Sequence, residues 1–171
     1  MVHLRYLLML LLACLPHYAA HAASTGGAAS AAVLGPASMI NTSPLDFGGI
    51  IPGGGGTVFI NAQTGARTAS GVVLMPTSFS RARFVGTGTR ERVVTFDLDP
   101  TPIIISNGSA TMRIDQIRLS INNTAPQPVG PNANTGSQGI VTFGIGGRLN
   151  VAANQAEGVY TGSFTVTMDY Q

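Results

Sequence analysis

The sequence contains no lysine and no tryptophan, and its single cysteine, Cys14, lies near the amino terminus. Its three histidines, His3, His17 and His21, also lie within the first 22 residues. The rest of the chain therefore lacks the side chains that most often act as general bases, thiol nucleophiles and Schiff-base amines. It also lacks the histidine and cysteine ligands of zinc sites and cannot form an internal disulfide. These absences predict a protein without enzymatic activity, cofactor or bound metal.

The amino-terminal segment has the three regions of a secretory signal. His3 and Arg5 form a short polar start, residues 6–15 are an apolar run, and Ala20-His21-Ala22 is a small-x-small cleavage site. The run is too short to span a bilayer, and no later segment approaches the roughly 18–20 apolar residues of a transmembrane helix. We therefore expect residues 1–22 to be a signal peptide, with export to the periplasm, cell surface or medium and no transmembrane segment.

A second interpretation of this segment involves its cysteine. Residues 11–14, Leu-Leu-Ala-Cys, partly resemble a bacterial lipoprotein signal, in which the cysteine would become the lipid-bearing first residue. Leu12, two positions before the cysteine, fits that pattern poorly, and the apolar run continues past Cys14. Cleavage after Ala22 is the favoured interpretation, and lipid attachment at Cys14 stays open as the alternative.

Removal of 22 residues from 171 leaves 149, which is enough for one domain with a hydrophobic core. Residues 23–32 are rich in alanine, serine and glycine and are expected to form a flexible leader, so that the domain spans residues 33–171. Eight of the nine arginines then stand against seven carboxylates. This nearly balanced charge forms no basic patch, and we expect no binding to nucleic acid.

The chain is rich in glycine and in β-branched residues, a composition that favours short strands joined by tight turns. A change of phase in the alternation near Gln116 indicates a β-bulge. The predicted fold is all-β, an antiparallel β-sandwich of immunoglobulin-like type. Its predicted strands are residues 33–40, 57–60, 70–75, 81–85, 93–98, 103–106, 112–121, 140–145, 148–151 and a final strand.

Several features that resemble functional sites have a plainer interpretation. Asp97 and Asp99 share a strand face, but they border Pro100 and predict a solvated turn rather than a catalytic pair. Residues 53–56 are four glycines with no following lysine, which predicts a turn with positive φ rather than a phosphate-binding loop. Residues 122–138 form a long irregular loop, either functional or disordered. Four arginines near acidic residues predict a solvated strand face rather than an anion site: Arg81, Arg83, Arg90 and Arg92.

Residues 158–171 alternate between apolar and polar side chains, as in an amphipathic β-strand. A glycine stands fourteenth from the end of the chain and a tyrosine second. The segment resembles the carboxyl-terminal motif of pilus subunits assembled by the chaperone–usher route. In that family the motif pairs with an edge strand of a periplasmic chaperone, and the subunit's groove later receives a strand from the next subunit. The resemblance implies an assembly strand with the apolar face Gly158, Tyr160, Gly162, Phe164, Val166, Met168 and Tyr170.

A second resemblance covers about residues 38–171. It rests on Leu45-Asp46-Phe47-Gly48, residues 53–58, Phe84-Val85-Gly86, the run Phe-Gly-Ile-Gly-Gly-Arg-Leu at 143–149, and residues 158–170. Together these blocks resemble the exported family catalogued as domain of unknown function 4402. That family is generally regarded as pilin-like, related to spore coat protein U and other chaperone–usher subunits, and has no established activity. The resemblance implies a sandwich of pilin type. Its implied partners are a periplasmic chaperone, an usher and like subunits arranged head to tail.

The absence of a disulfide departs from the most familiar pilins and leaves the cysteine-free branches open. The expected function is an exported structural or adhesion subunit of a surface pilus or fimbria-like assembly, built by β-strand complementation. The alternative is a self-complete exported β-sandwich that binds a surface ligand such as carbohydrate. The candidate donor strand is either Val33, Gly35, Ala37 and Met39 or the opposite face, Leu34, Pro36, Ser38 and Ile40. Both faces are compatible with a first strand retained by its own domain, and this alternative is slightly favoured.

Overall fold

Short segments rich in apolar and β-branched residues alternate with glycine- and proline-containing turns, and in the computed structural model these segments form β-strands. The structure describes residues 30–171, and no helix occurs among them. Every strand pairing in this range is antiparallel, which confirms the predicted all-β antiparallel fold. The strands are β1 (Ser38–Ser43), β2 (Ile50–Ile51), β3 (Gly56–Ile60), β4 (Arg67–Ser70), β5 (Val73–Leu74), β6 (Ala82–Thr87), β7 (Val93–Asp99), β8 (Ile103–Ser106), β9 (Thr111–Ile121), β10 (Gln127–Pro128), β11 (Asn132–Asn134), β12 (Ile140–Val151) and β13 (Thr165–Tyr170).

The long strand β12 lies at the centre of an eight-stranded sheet. Along one edge its first half pairs with β6 and its second half with β3, and along the other edge it pairs with β9. β1 lies outside β6, β4 lies outside β3, and β8 and β10 lie outside β9. The prediction of two separate strands at residues 140–145 and 148–151 is wrong, because the pairing with β9 continues past the two glycines between them.

A second sheet has three strands, with β7 in the middle, β11 on one edge and β13 on the other. β2 and β5 form a separate two-stranded pair. Residues 122–138, predicted to be irregular, contain the two short strands β10 and β11. The predicted first strand at residues 33–40 is displaced, since β1 begins only at Ser38. Leu34–Gln171 forms one compact unit.

The hydrophobic core lies between the two larger sheets. Alternate residues of β7, namely Val94, Phe96 and Leu98, are buried. The ring centroid of Phe96 lies 4.6 Å from that of Phe143 in β12, and Phe143 stacks on Phe84 of β6 at 5.1 Å. Side chains of the two sheets therefore pack face to face in a sandwich-like arrangement. Its immunoglobulin-like and pilin-type details stay a prediction.

A β-bulge interrupts β9 where the alternation in the sequence changes phase. The register between β9 and β12 shifts between Gly146 and Arg148, and Gln116 has a φ of 46°. Beside the bulge, the Arg148 guanidinium donates hydrogen bonds of 2.9 and 3.3 Å to the two carboxylate oxygens of Asp115. These bonds are the largest cause of the lowered pKa of Asp115. The predicted bulge near Gln116 is confirmed.

Two glycines of β12 allow a neighbouring segment to cross the sheet at close range. A Cβ at Gly144 would collide with the carbonyl oxygen of Ala62, and a Cβ at Gly146 would collide with that of Ile60. Both opposing atoms belong to the backbone, which cannot rotate away as a flexible side chain can. These glycines lie in the 143–149 block on which the family resemblance rests, so backbone packing explains this part of the resemblance.

Candidate functional site

The structure divides the predicted assembly strand into two parts. Thr165–Tyr170 forms β13 and pairs with β7 in the three-stranded sheet. Before it, Thr161 makes an isolated antiparallel bridge with Ser106 of β8, through two hydrogen bonds of 2.9 Å. The chain thus passes from the large sheet to the small one between Thr161 and Thr165. The prediction of one continuous strand from Gly158 is wrong, because its two halves pair with different sheets.

Within β13 the predicted alternation of faces is confirmed. Met168 is buried in the core, and Val166 and Tyr170 pack against the core with partial exposure. Phe164, just before the strand, packs on the same side, with its ring centroid 6.3 Å from that of Phe84. The apolar face of the carboxyl-terminal segment therefore covers the core from residue 164 to residue 170. Of the remaining predicted residues, Gly158 and Gly162 are exposed and Tyr160 is half-buried.

β13 has an open edge. Gln171 donates a backbone hydrogen bond to Val93 at 3.1 Å, which fixes the odd-numbered residues as those whose N–H and C=O groups face β7. The N–H and C=O groups of Val166 and Met168 therefore point away from β7. No strand among residues 30–171 pairs with this edge. Two donors and two acceptors of the backbone are thus directed at the position that a further strand would occupy.

A groove of about 680 Å³, here called the apolar groove, lies between residues 44–52, which follow β1, and residues 155–162, which precede β13. Its two walls continue into β1 and β13, each of which pairs on one side only within the described part of the chain. Its apolar lining is supplied by Leu45, Phe47, Ile50, Met75, Ile105, Met112, Ile114, Leu149, Val151 and Val159.

The lining of the apolar groove includes residues that belong to the hydrophobic core. Ile114, Leu149 and Val151 are each less than 10% exposed, yet they form part of its surface. Met75 and Val159 at the groove are 42% and 82% exposed. The core of the sandwich therefore reaches solvent along one side, where apolar side chains of a partner segment would find a complementary surface.

Several polar side chains at the apolar groove are already hydrogen-bonded within the domain. The Tyr160 hydroxyl donates to the carbonyl of Ala156 at 2.7 Å and accepts from the Gln155 amide at 2.8 Å. The Asp46 carboxylate accepts from the backbone N–H of Gly48 at 2.8 Å. These contacts shape the walls. The groove is therefore suited to apolar contact and to backbone pairing rather than to proton transfer.

The hydroxyl of Tyr170 ties three segments together at the far end of β13. It donates to the carbonyl of Gly35 at 3.0 Å and accepts from the backbone N–H of Thr89 at 2.6 Å. The Gly35 N–H in turn donates to the Thr89 hydroxyl at 2.8 Å. A Cβ at Gly88 would collide with the Tyr170 hydroxyl, so a larger residue there would displace this hydroxyl. We refer to these bonds as the Tyr170 contact.

The predicted donor residues occupy different environments. Val33 is 97% exposed, whereas Gly35 takes part in the Tyr170 contact. Met39 lies in β1, which pairs with β6 of the same chain, and it packs against the core. On the opposite face, Ile40 is 60% exposed. The structure therefore places Met39 in a strand of its own domain, and donation by residues before Ser38, including Ala37, stays a prediction.

Replacing Tyr170 by phenylalanine is expected to lower the free energy of unfolding by about 1–3 kcal/mol, because the carbonyl of Gly35 and the N–H of Thr89 lose a common partner. The segment around Gly35 should also become more sensitive to protease. Tyr160→Phe is the matched control, since that hydroxyl bonds only within residues 155–160. Thermal unfolding and limited proteolysis measure both effects. Equal cleavage rates before Ser38 in the two variants would contradict the role assigned to Tyr170.

Other features singled out in the sequence lie apart from the apolar groove. Asp97 and Asp99 are exposed on β7. Of the four glycines at 53–56, the first three lie in the turn between β2 and β3 and Gly56 begins β3; Gly53 and Gly55 have positive φ as predicted. Within residues 30–171, no cluster of three or more histidine, cysteine or acidic side chains is placed to hold a metal ion. In the same range, no helix is long and apolar enough to cross a membrane.

The proposed signal at residues 1–22, with Cys14, lies outside the described residues, as does most of the leader. The sequence did not lead us to predict the first wall of the apolar groove, residues 44–52. The available signal was the pair Leu45 and Phe47, whose spacing of two already suggested a shared face. Nothing local could have indicated that Met75 and Met112 meet this wall, because they come from distant parts of the chain.

Comparison with known proteins gives one match. A family model described as a domain of unknown function (DUF4402) matches residues 38–170, from the first residue of β1 to the last residue of β13. No significant match is found among curated proteins or among solved structures. The match covers most of the chain and both larger sheets. The chain therefore belongs to the DUF4402 family.

Proposed function

We propose that this protein is an exported structural or adhesion subunit of a chaperone–usher-type surface pilus or fimbria-like assembly, built by β-strand complementation. The single observation that carries the proposal is the apolar groove, through which core residues of the sandwich reach solvent between the segments that follow β1 and precede β13. A groove of this kind is an aggregation hazard unless another chain covers it.

A complementing strand would pair with the open edge of β13 and cover the apolar groove. Its backbone would pair with the N–H and C=O groups of Val166 and Met168 on the open edge of β13. Its alternate side chains would enter the apolar groove and contact Ile105 and Met112, which are only partly buried without it. Backbone pairing supplies affinity, and the groove supplies specificity for apolar residues at every second position.

Such complementation leads to a linear assembly. The groove of one subunit and the donated strand of the next are different surfaces, so the interface is heterologous and does not close on itself. A periplasmic chaperone would cover the same groove before assembly and would prevent premature pairing. The secretory pattern of residues 1–22 supports export, which this route requires.

A second candidate is a self-complete exported domain that binds a surface ligand. The observation that favours it is that β1 pairs with β6 of its own chain and that the Tyr170 contact holds the segment just before β1. A domain that keeps its first strand has less need of a donated one. The two candidates differ in oligomeric behaviour, because a ligand-binding domain of this kind would be stable as a monomer.

The test compares the exported chain with two shorter chains that begin at Ser38 and at Pro44, each expressed with and without a periplasmic chaperone. The Ser38 chain keeps β1 and loses the leader, whereas the Pro44 chain loses both. Size exclusion and denaturant-resistant ladders on gels measure assembly. Polymers of the full chain that disappear in the Ser38 chain, with chaperone capture unchanged, support strand donation. Monomers in all chains, without chaperone capture, would refute the proposal.

A further inference from the structure

A shallow cavity of about 260 Å³ lies on the outer face of the large sheet, away from the core. At its floor, Arg83 of β6, Gly144 of β12 and Ser120 of β9 stand in register across three adjacent strands. Because Gly144 has no side chain, the carbonyl of Ala62 and the side chain of Arg81 approach the middle of this row closely. The cavity is at the small end of the range for ligand pockets, which is roughly 300–1,000 Å³, so it suits a small group rather than an extended ligand.

Arg81 lies directly over Gly144. A Cβ at Gly144 would come within 3.1–3.2 Å of the Cδ and Nε atoms of Arg81. The Arg81 guanidinium is anchored by one hydrogen bond, from Nη1 to the carbonyl oxygen of Ala62 at 2.6 Å. Its Nε is buried, and no acceptor among residues 30–171 contacts it. A buried donor without an acceptor is unfavourable, and a bound anion would supply one.

The charge around the cavity is of one sign. Arg81 and Arg83 both line it, and none of the described lining residues is acidic. The two ion pairs found within residues 30–171 both use Asp115, with Arg113 and Arg148, so neither lining arginine has a carboxylate partner in this range. Burial lowers the pKa of Arg81, and the nearby charge of Arg83 lowers it further. An anion in the cavity would offset both effects.

From this arrangement we propose that Arg81 and Arg83 bind a small oxyanion, the carboxylate of an acidic sugar or a phosphate group, in this cavity. Two guanidinium groups present planar forks of N–H donors that match the oxygens of either anion. The Thr142 hydroxyl is a third donor, since its existing bond to Asn122 is long, at 3.4 Å. The site lies apart from the apolar groove and does not depend on assembly.

The four arginines singled out in the sequence do not lie together in the structure. Arg90 and Arg92 do not line this cavity, and only Arg81 and Arg83 meet there. Arg81 lies just before β6 and Arg83 lies in β6, and buried Ala82 between them points to the core. Gly144 and Ser120, which complete the site, come from β12 and β9, and their contribution follows from strand register alone.

The test is a titration of the isotope-labelled, purified protein with sodium galacturonate, inorganic phosphate or neutral galactose, each at constant ionic strength, followed by backbone amide resonances. Saturable shifts at Arg83 and Gly144 with either anion, and none with galactose, are expected. Arg83→Gln should weaken binding by about tenfold or more, because two charge-assisted hydrogen bonds are lost. Arg83→Lys keeps the charge without the fork and should give an intermediate loss.

The matched control is Arg90→Gln, which removes the same charge outside the cavity and should change affinity by less than about twofold. Unaltered thermal unfolding of each variant ensures that a loss of binding is not a loss of fold. The galacturonate and phosphate arms separate the two sources of the anion, and binding of either supports the site. If neither anion gives saturable shifts, or if Arg83→Gln and Arg90→Gln lose equal affinity, the proposal is overturned. Either result would leave the assembly proposal untouched.

Discussion

Replacing Val166 by proline is expected to abolish polymer formation while the domain stays folded. The N–H of Val166 points away from β7, so its removal costs no hydrogen bond within the described part of the protein. Proline is tolerated on an edge strand when the missing N–H faces outward, and the change in stability should be on the order of 1 kcal/mol. A complementing strand, in contrast, loses a donor at the middle of β13 and meets the proline ring.

Thr167→Pro is the matched control for this prediction. It introduces the same ring one position along, where the N–H faces Asp97 of β7 and is used within the domain. This variant should be destabilised by about 1–3 kcal/mol more than Val166→Pro, because a ladder hydrogen bond is lost. Size exclusion measures assembly, and circular dichroism with thermal unfolding measures the fold. Normal polymers of a folded Val166→Pro protein would show that β13 does not receive a strand.

A charge in the apolar groove tests the same interface through its side chains. Val159 is 82% exposed at the groove, so Val159→Asp should leave stability nearly unchanged but place an unpaired carboxylate against an incoming strand. Val73→Asp is the control, since Val73 is 61% exposed and does not line the groove. Assembly lost in the first variant and kept in the second supports the proposed interface. Assembly that is equal in both counts against it.

Replacing Gly146 by alanine is expected to lower the free energy of unfolding by about 3 kcal/mol, or the melting temperature by roughly 10 °C. The added Cβ would collide with the carbonyl oxygen of Ile60 and lie 2.7 Å from the backbone nitrogen of Ala62. Both are backbone atoms of the segment that leaves β3. Either β3 or β12 must therefore move to remove this collision, and β12 is the strand with which β3, β6 and β9 all pair.

Gly54→Ala is the control for the Gly146→Ala prediction, because a Cβ at residue 54 would have no heavy atom within 4 Å and the residue has no positive φ. It should change the melting temperature by less than about 2 °C. Differential scanning calorimetry of the two variants beside the unchanged protein provides the measurement. Equal melting temperatures for Gly146→Ala and Gly54→Ala would mean that the segment leaving β3 shifts freely. Close backbone packing would then not explain the glycine at residue 146.

Local patterns in the sequence determined a substantial part of this protein. The two-residue period from Phe164 to Tyr170 predicted which side chains of β13 cover the core, since alternate residues of any strand point to opposite faces. The change of phase near Gln116 predicted the bulge for the same reason. Glycine at 53–56 predicted a turn with positive φ, because few other residues adopt that backbone conformation.

Only the tertiary structure decided where strands begin, end and meet. The alternation before Phe164 continues unbroken, yet residues 158–163 lie outside β13 because the chain changes sheets there. The apolar groove joins segments that follow β1 and precede β13, and the Tyr170 contact joins residues 135 positions apart. The same holds for Arg81 and Arg83, which share a cavity with Gly144 through strand register. Side-chain periodicity is a local property of the chain, whereas these sites arise from pairings between distant strands, which periodicity does not encode.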